Sequence, residues 1–146
     1  MISLKEYRCF WERVGALVGA SHVCPITIDR EMTKRIQSMG KGETALFWLP
    51  PAAKSESSSS DNYRESNSCV VFVMRKYDPQ REGSIEVLED LQPVAESVKD
   101  QLLQAASSPC SPISPDVSTI DTMPETDFYG TLAGWSIGFR IKSSDV

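Results

Sequence analysis

Residues 129–141 read YGTLAGWSIGFRI, and this stretch decides the fold class. Most of its apolar residues fall on odd positions, whereas Leu132, polar residues and the glycines Gly130, Gly134 and Gly138 fall on even ones. An alternation of period two over thirteen residues is typical of a β-strand with one buried face. We interpret the glycines as β-bulges or as places where another backbone or element packs close.

Two more strands are predicted upstream. Residues 43–49 (ETALFWL) form a nearly continuous apolar run that ends at Pro50 and Pro51, which cannot donate ladder hydrogen bonds. Residues 69–77 form the next apolar run. The intervening residues 52–68 are rich in serine and poor in apolar groups, which predicts an exposed, flexible loop between two adjacent strands.

The first helix is predicted over residues 4–18. Its apolar residues recur at helical spacing, and charged residues occupy the opposite face. Ser3 and Glu6 fit a capping box at its start, and Gly19 fits its end.

A second long helix is predicted over residues 87–103, where apolar residues again form one stripe. Ser84 is the expected N-cap. Pro93 lies inside the pattern and removes one backbone hydrogen bond, so we expect a kink or a split there.

Residues 20–40 admit two interpretations. The segment from His22 to Ile28 fits a short strand or an extended connector. Asp29 can then cap a short helix that ends at Gly40, with the apolar residues Met32, Ile36 and Met39 spaced by four and three. A β-hairpin over the same residues is the alternative.

The remaining residues complete an α+β pattern. Residues 106–116 are rich in proline and serine and predict a second flexible loop, followed by a weak strand over 117–123 and a turn over 124–127. Sequential hairpins with helices between them predict a single domain over residues 1–146. Its sheet is antiparallel or mixed with about four strands, and two main helices pack on one face.

The charge is acidic overall but unevenly distributed. The chain of 146 residues has a net charge of −5, whereas a protein that mainly neutralises phosphates normally carries a basic surplus. Residues 1–41 contain seven basic and four acidic residues, and residues 83–146 contain three basic and ten acidic ones. This asymmetry is most simply solvated surface, but it can also steer a head-to-tail contact between copies of the chain.

The thiols and the histidine give no convincing reactive site. None of the cysteines is in C-x-x-C spacing, and no second histidine completes a metal set, so we expect reduced, structural thiols. His22 and Cys24 lie on one face of an extended segment, but a nucleophile pair lacks an orienting group there. The cysteines are Cys9, Cys24, Cys69 and Cys110.

No other catalytic, cofactor-binding or metal-binding residues are predicted, and we expect a protein that is not an enzyme. The acidic residues Glu86, Glu89 and Asp90 fit a helix start and its dipole better than a metal cluster. The tryptophans lie on apolar faces and predict core positions; they are Trp11, Trp48 and Trp135. The chain also lacks the pattern of a secretory signal and any apolar run long enough to span a membrane.

The order of these elements resembles the tail terminator, or tail completion, proteins of long-tailed phages and their prophage relatives. In that family a leading helix precedes a hairpin with a long arm-like loop, a helix crosses the sheet, and a hairpin ends the chain. The matching segments here are residues 4–18, the strands ALFWL (45–49) and VVFV (70–73), the helix 87–103 and the strand WSIGFRI (135–141). The resemblance covers nearly the whole chain as a pattern of elements.

The resemblance implies a structural assembly protein whose copies close into a ring, typically sixfold, at the end of a tail tube. Its partners would be further copies of itself and other phage-like structural proteins. It would reside in the bacterial cytoplasm during assembly and then in the virion, without cofactor, metal, membrane or sequence-specific nucleic-acid contact. The alternative is a monomeric or dimeric α+β module that binds a protein or a small ligand without catalysis.

Overall fold

A computed structural model describes residues 1–27 and 29–142. The helices are α1 (Leu4–Val18), α2 (Asp29–Ser38) and α3 (Ser84–Ser107). The strands are β1 (His22–Pro25), β2 (Thr44–Trp48), β3 (Ala52–Ser55), β4 (Glu65–Lys76), β5 (Pro115–Phe128) and β6 (Leu132–Lys142). A single 3₁₀ turn covers Ser60–Asn62.

The strands form one mixed sheet in the order β1-β2-β4-β6-β5. Only the β1–β2 pair is parallel; β2 with β4, β4 with β6 and β6 with β5 are antiparallel. β3 also pairs with β4 and follows β2 along the same side of it, after an interruption at Pro50 and Pro51. The predicted α+β class is therefore confirmed, with six strands where about four were expected.

One face of the sheet carries the larger hydrophobic core beneath α1 and α3, as the sequence predicted. α1 lies against β1 and β2, whereas α3 lies against β4, β5 and β6. Complete burial of each large apolar side chain stabilises the fold by roughly 1.5–3 kcal/mol. The core includes Tyr7, Trp11 and Val14 of α1, Val87, Leu91, Val98 and Leu102 of α3, and Leu46, Val73 and Ile137 of the sheet.

The opposite face is covered in part by α2, the helix that the sequence left undecided between helix and hairpin. Met32 and Ile36 pack there against Phe47 and Met74. The Lys76 ammonium donates to the carbonyl oxygens of Ile36 (3.0 Å) and Met39 (3.4 Å), so a cation satisfies the last carbonyls of α2. The left-handed glycine after this helix is Gly42 (φ 80°), where Gly40 was expected.

The ends of the two long helices follow local chemistry. At the start of α1 the Glu6 amide donates to Ser3 Oγ at 3.3 Å, and Gly19 ends the helix in the left-handed conformation, as predicted. α3 is instead capped at Gly83, one residue before the expected Ser84. It also runs unbroken through Pro93, so the predicted split is wrong. Pro93 is exposed, and water can reach the carbonyl group that the missing amide leaves unpaired.

The predicted loop over residues 52–68 is mostly a β-hairpin. β3 and the first residues of β4 pair in register from Ala52 with Ser68 to Ser55 with Glu65, which leaves only residues 56–64 outside the ladder. The second predicted loop, over 106–116, shrinks to residues 108–114 because α3 and β5 extend into it.

The predicted turn over residues 124–127 is also wrong, because β5 continues through it to Phe128. Pro124 is tolerated because β5 is an edge strand with no neighbour on one side. The chain reverses instead at Tyr129 and Gly130, which both have positive φ (53° and 75°), as tight hairpin turns require.

Candidate interaction surfaces

His22 and Cys24 both lie on β1, but their side chains have different surroundings. The His22 Nε2 contacts the carboxylate of Glu43, whereas Cys24 is buried against α2. Burial raises the pKa of the Cys24 thiol, and the positive charge of Arg35 offsets part of this effect. A thiol held in its neutral form is a poor nucleophile, so this pair gives no support to a catalytic site.

The acidic start of α3 contains an ion pair that the sequence did not predict. Arg75 of β4 is almost fully buried, its Nη1 donates to Glu82 Oε1 at 2.8 Å, and its Nε lies 3.0 Å from Asp90 Oδ2. The hydrogen bond that Arg75 donates to Glu82 raises the pKa of the Arg75 guanidinium and keeps it charged. Asp90, although exposed like Glu86 and Glu89, thus joins the start of α3 to the sheet through Arg75. The sequence predicted a strand over residues 69–77, but neither the burial of Arg75 nor its partners.

The described residues contain no cluster of three or more His, Cys, Asp or Glu side chains suited to a metal ion. Within the same part of the chain, no helix is long and apolar enough to cross a membrane. Trp11 and Trp48 take the predicted core positions and are buried. Trp135 is partly buried against the same core, and its Nε1 donates to the carbonyl of Leu88 at 3.0 Å.

The fold brings nine of the twenty acidic residues together on two neighbouring elements at one side of the sheet. α3 contains five carboxylate residues and one lysine, and β5 contains four carboxylate residues and no basic residue. β5 is the strand at one edge of the sheet, and α3 packs against it and its neighbour β6. We call β5 and the exposed side of α3 the acidic edge.

Six of the fifteen basic residues lie on two helices at the opposite side. β1 forms the other edge of the sheet, with α1 beside it on one face and α2 on the other. These two helices contain Lys5, Arg8, Arg13, Arg30, Lys34 and Arg35 against four acidic residues. We call this side the basic edge. The charge asymmetry seen along the sequence is therefore also an asymmetry in space.

A groove follows α1 on its side facing α3. It consists of two adjoining depressions of about 540 Å³ and about 340 Å³ that are both lined by Arg13. Lys5 and Phe10 line the first depression, and Gln101 of α3 lines the second together with Leu17, which is 63% exposed. We call this feature the α1 groove. Its lining combines apolar surface with two basic residues and one acidic residue, Glu6.

The edge strand β5 departs from regular pairing next to its acidic residues. Its register with β6 shifts between Asp116 and Asp121. The Thr119 hydroxyl accepts from the Arg140 amide at 2.9 Å and donates to the Asp116 carbonyl at 2.7 Å, so the shifted segment is held in place. Val117 is 50% exposed at this point, and we call residues 117–120 the β5 bulge.

The hairpin of β3 and β4 forms an exposed arm. All four residues of β3 are exposed, and Tyr63 beyond it is 51% exposed. The Tyr63 hydroxyl donates to Glu65 Oε1 at 3.0 Å, and the amino terminus of Met1 donates to Glu65 Oε2 at 2.5 Å. The hydrogen bonds from the amino terminus and Tyr63 lower the pKa of Glu65. These contacts join the base of the arm to the start of the chain.

Comparison with models of protein families gave no match, and no curated protein sequence matches the chain. Function must therefore be inferred from the surfaces described above and from the order of the structural elements. Sequence reasoning found the charge asymmetry that underlies two of these surfaces. It missed the α1 groove and the β5 bulge, because neither the packing of distant segments beside α1 nor a register shift has a local sequence signature.

Proposed function

We propose that this protein is a structural assembly protein of the tail terminator type, whose copies associate head to tail into a closed ring. The observation that carries the proposal is the separation of charge between the two edges of one sheet. The acidic edge lies on α3 and β5, and the basic edge lies on α1 and α2 around β1.

A ring requires a heterologous interface, in which one patch of each copy meets a different patch of the next. Opposite charges on opposite edges favour this arrangement, since like edges repel each other in a twofold dimer. The same charges accelerate the encounter of copies at low ionic strength. The proposal needs no catalytic group, cofactor or metal.

The order of the elements also supports the proposal. The chain contains a leading helix (α1), a hairpin with an exposed arm (β2–β4), a helix across the sheet (α3) and a C-terminal hairpin (β5–β6) in this order. These are the features on which the resemblance to tail terminators rests. The elements β1 and α2 are added between α1 and β2. In such a role the protein would assemble in the bacterial cytoplasm, contact other phage-like structural proteins and remain in the virion.

Light scattering tests the proposal at several protein concentrations and at low and high salt. We expect a mass several times that of the monomer, with association weakened by salt because charge screening shortens the range of the attraction. A monomer under all of these conditions, also in the presence of tail tubes, would contradict the proposal. A mass of two copies that ignores salt would favour an isologous dimer instead.

The exposed arm favours a second candidate, a monomeric or dimeric module that binds another protein without catalysis. Tyr63 is a large side chain left on the surface of a polar hairpin, and tyrosine is enriched at binding surfaces. Shortening the arm by replacing residues 56–64 with a two-residue turn separates the candidates. Loss of partner binding with an unchanged oligomer would favour the module.

A further inference from the structure

The β5 bulge presents an apolar side chain between negative charges. Val117 is half exposed, although Ile120 of the same segment packs against the main core. Asp116 Oδ1 accepts from the amide and the hydroxyl of Ser118, which fixes the backbone beside Val117. Asp121 follows the bulge and is exposed. The bulge is therefore a preorganised knob whose exposed apolar group is flanked by carboxylates.

The α1 groove has the complementary properties. Arg13 lines both of its depressions, and Lys5 lies at one end. The Arg13 guanidinium carbon lies 5.6 Å from the centre of the Phe10 ring, so its charge stays at the groove rather than in a buried ion pair. Leu17 supplies exposed apolar surface at the other end. The charged residues of the groove are two cations and the carboxylate of Glu6, so its net charge is positive, and Leu17 adds an apolar contact for an acidic segment.

We propose that the β5 bulge of one copy inserts into the α1 groove of the next copy, with Val117 against Leu17 and Asp121 near Arg13. This inference rests on the proposed function and names the residues that form its heterologous interface. A second copy is the occupant because its acidic edge supplies carboxylates for Arg13 and Lys5 and an exposed apolar group for Leu17. Burial of Val117 and Leu17 stabilises the contact, and the ion pairs select its register.

A charge exchange tests the proposal. In sedimentation equilibrium at low salt, Arg13→Glu and Asp121→Arg should each raise the dissociation constant of the oligomer at least about tenfold, and the double variant should return to within about threefold of wild type. Arg81→Glu is the matched control, because it reverses an exposed charge in the turn before α3. Circular dichroism establishes that each variant is folded.

Crosslinking provides a second measurement that does not depend on charge. Leu17→Cys and Val117→Cys are placed in separate proteins that both carry Cys9→Ser and Cys110→Ser, which removes the exposed native thiols. A short bismaleimide should join the two proteins only when they are mixed, because the interface is heterologous. The inference is overturned if the oligomer persists but this crosslink does not form. It is also overturned if Arg13→Glu and Arg81→Glu weaken the oligomer equally. Neither result contradicts the proposed ring itself. A wild-type monomer overturns both the inference and the ring.

Discussion

The Cα of Gly134 lies directly against the backbone of Val73. A Cβ atom built at residue 134 would lie 1.8 Å from the Val73 carbonyl oxygen, far inside any real contact. This close approach is one of the interpretations that the glycine spacing of β6 predicted, and it applies to Gly134. The strand pair β4–β6 is the centre of the sheet, so its tight fit determines where both helical layers sit.

Substitution of Gly134 should be far more harmful than substitution of a neighbouring glycine. Gly134→Ala should lower the free energy of unfolding by about 3 kcal/mol, because backbone atoms must move to admit the methyl group. Gly138→Ala is the matched control on the same strand, since its new Cβ would meet only the Cys69 carbonyl at 3.9 Å. It should change stability by less than about 1 kcal/mol. Urea denaturation measures both, and equal losses would contradict the close approach.

The ion pairs of Arg75 should contribute measurably to stability. Arg75→Met should cost about 2 kcal/mol, because it leaves Glu82 partly buried without its cation. The control is Arg8→Met, which breaks an exposed pair with Glu12 at 3.9 Å and should cost less than about 0.5 kcal/mol. Thermal denaturation of the two variants compares them. If both variants lose the same small amount, Arg75 has no special role in fixing α3.

The four thiols should fall into two classes. Cys9 and Cys110 are exposed, whereas Cys24 and Cys69 are buried. Burial also raises the pKa of the Cys69 thiol to about 11, so thiolate is scarce at neutral pH. In the native protein at about pH 8 a disulfide reagent should titrate two thiols quickly, and all four only in denaturant. Fast reaction of a third native thiol would show that one of the two cores is open.

Stability should decline in alkaline solution. Burial raises the pKa of Tyr7 as well as that of Cys69, so the folded chain retains protons that the unfolded chain releases. The free energy of unfolding should therefore be fully retained below about pH 9 and fall as the pH rises toward 11. Tyr7→Phe should make this decline shallower, because it removes one of the two buried groups that lose a proton on unfolding in this range. An unchanged slope in the variant would contradict this assignment.

The elements predicted correctly are those whose cause is local. The Ser3 cap and Gly19 set α1 by contacts within a few residues, and the alternation of β6 reports a buried face directly. The predictions fail where contacts between residues far apart in the sequence determine the secondary structure. Exposed β3 lacks strong strand formers and exists because β4 provides a ladder. Pro124 indicated a turn, but at an edge strand its missing amide carries no penalty.

The second face of the sheet shows the same limit. The even positions of β6 read as exposed, yet Leu132 and Ser136 are buried there. Leu132 belongs to the small core under α2, and Ser136 Oγ donates to Glu125 Oε1 at 3.0 Å. Alternation identifies the more apolar face of a strand. It does not show whether a helix covers the other face, as α2 does here. The charge asymmetry was readable from sequence, and its arrangement on two edges required the sheet order.

Electron microscopy of the purified protein at low salt tests head-to-tail assembly most directly, because it distinguishes a closed ring from every other stoichiometry. We predict ring-shaped particles with one cyclic symmetry that disappear at about 1 M salt, where the Debye length shrinks to about 3 Å. Particles no larger than a single chain in all buffers, or twofold dimers that withstand high salt, would contradict the proposal that opposite edges of neighbouring copies bind each other.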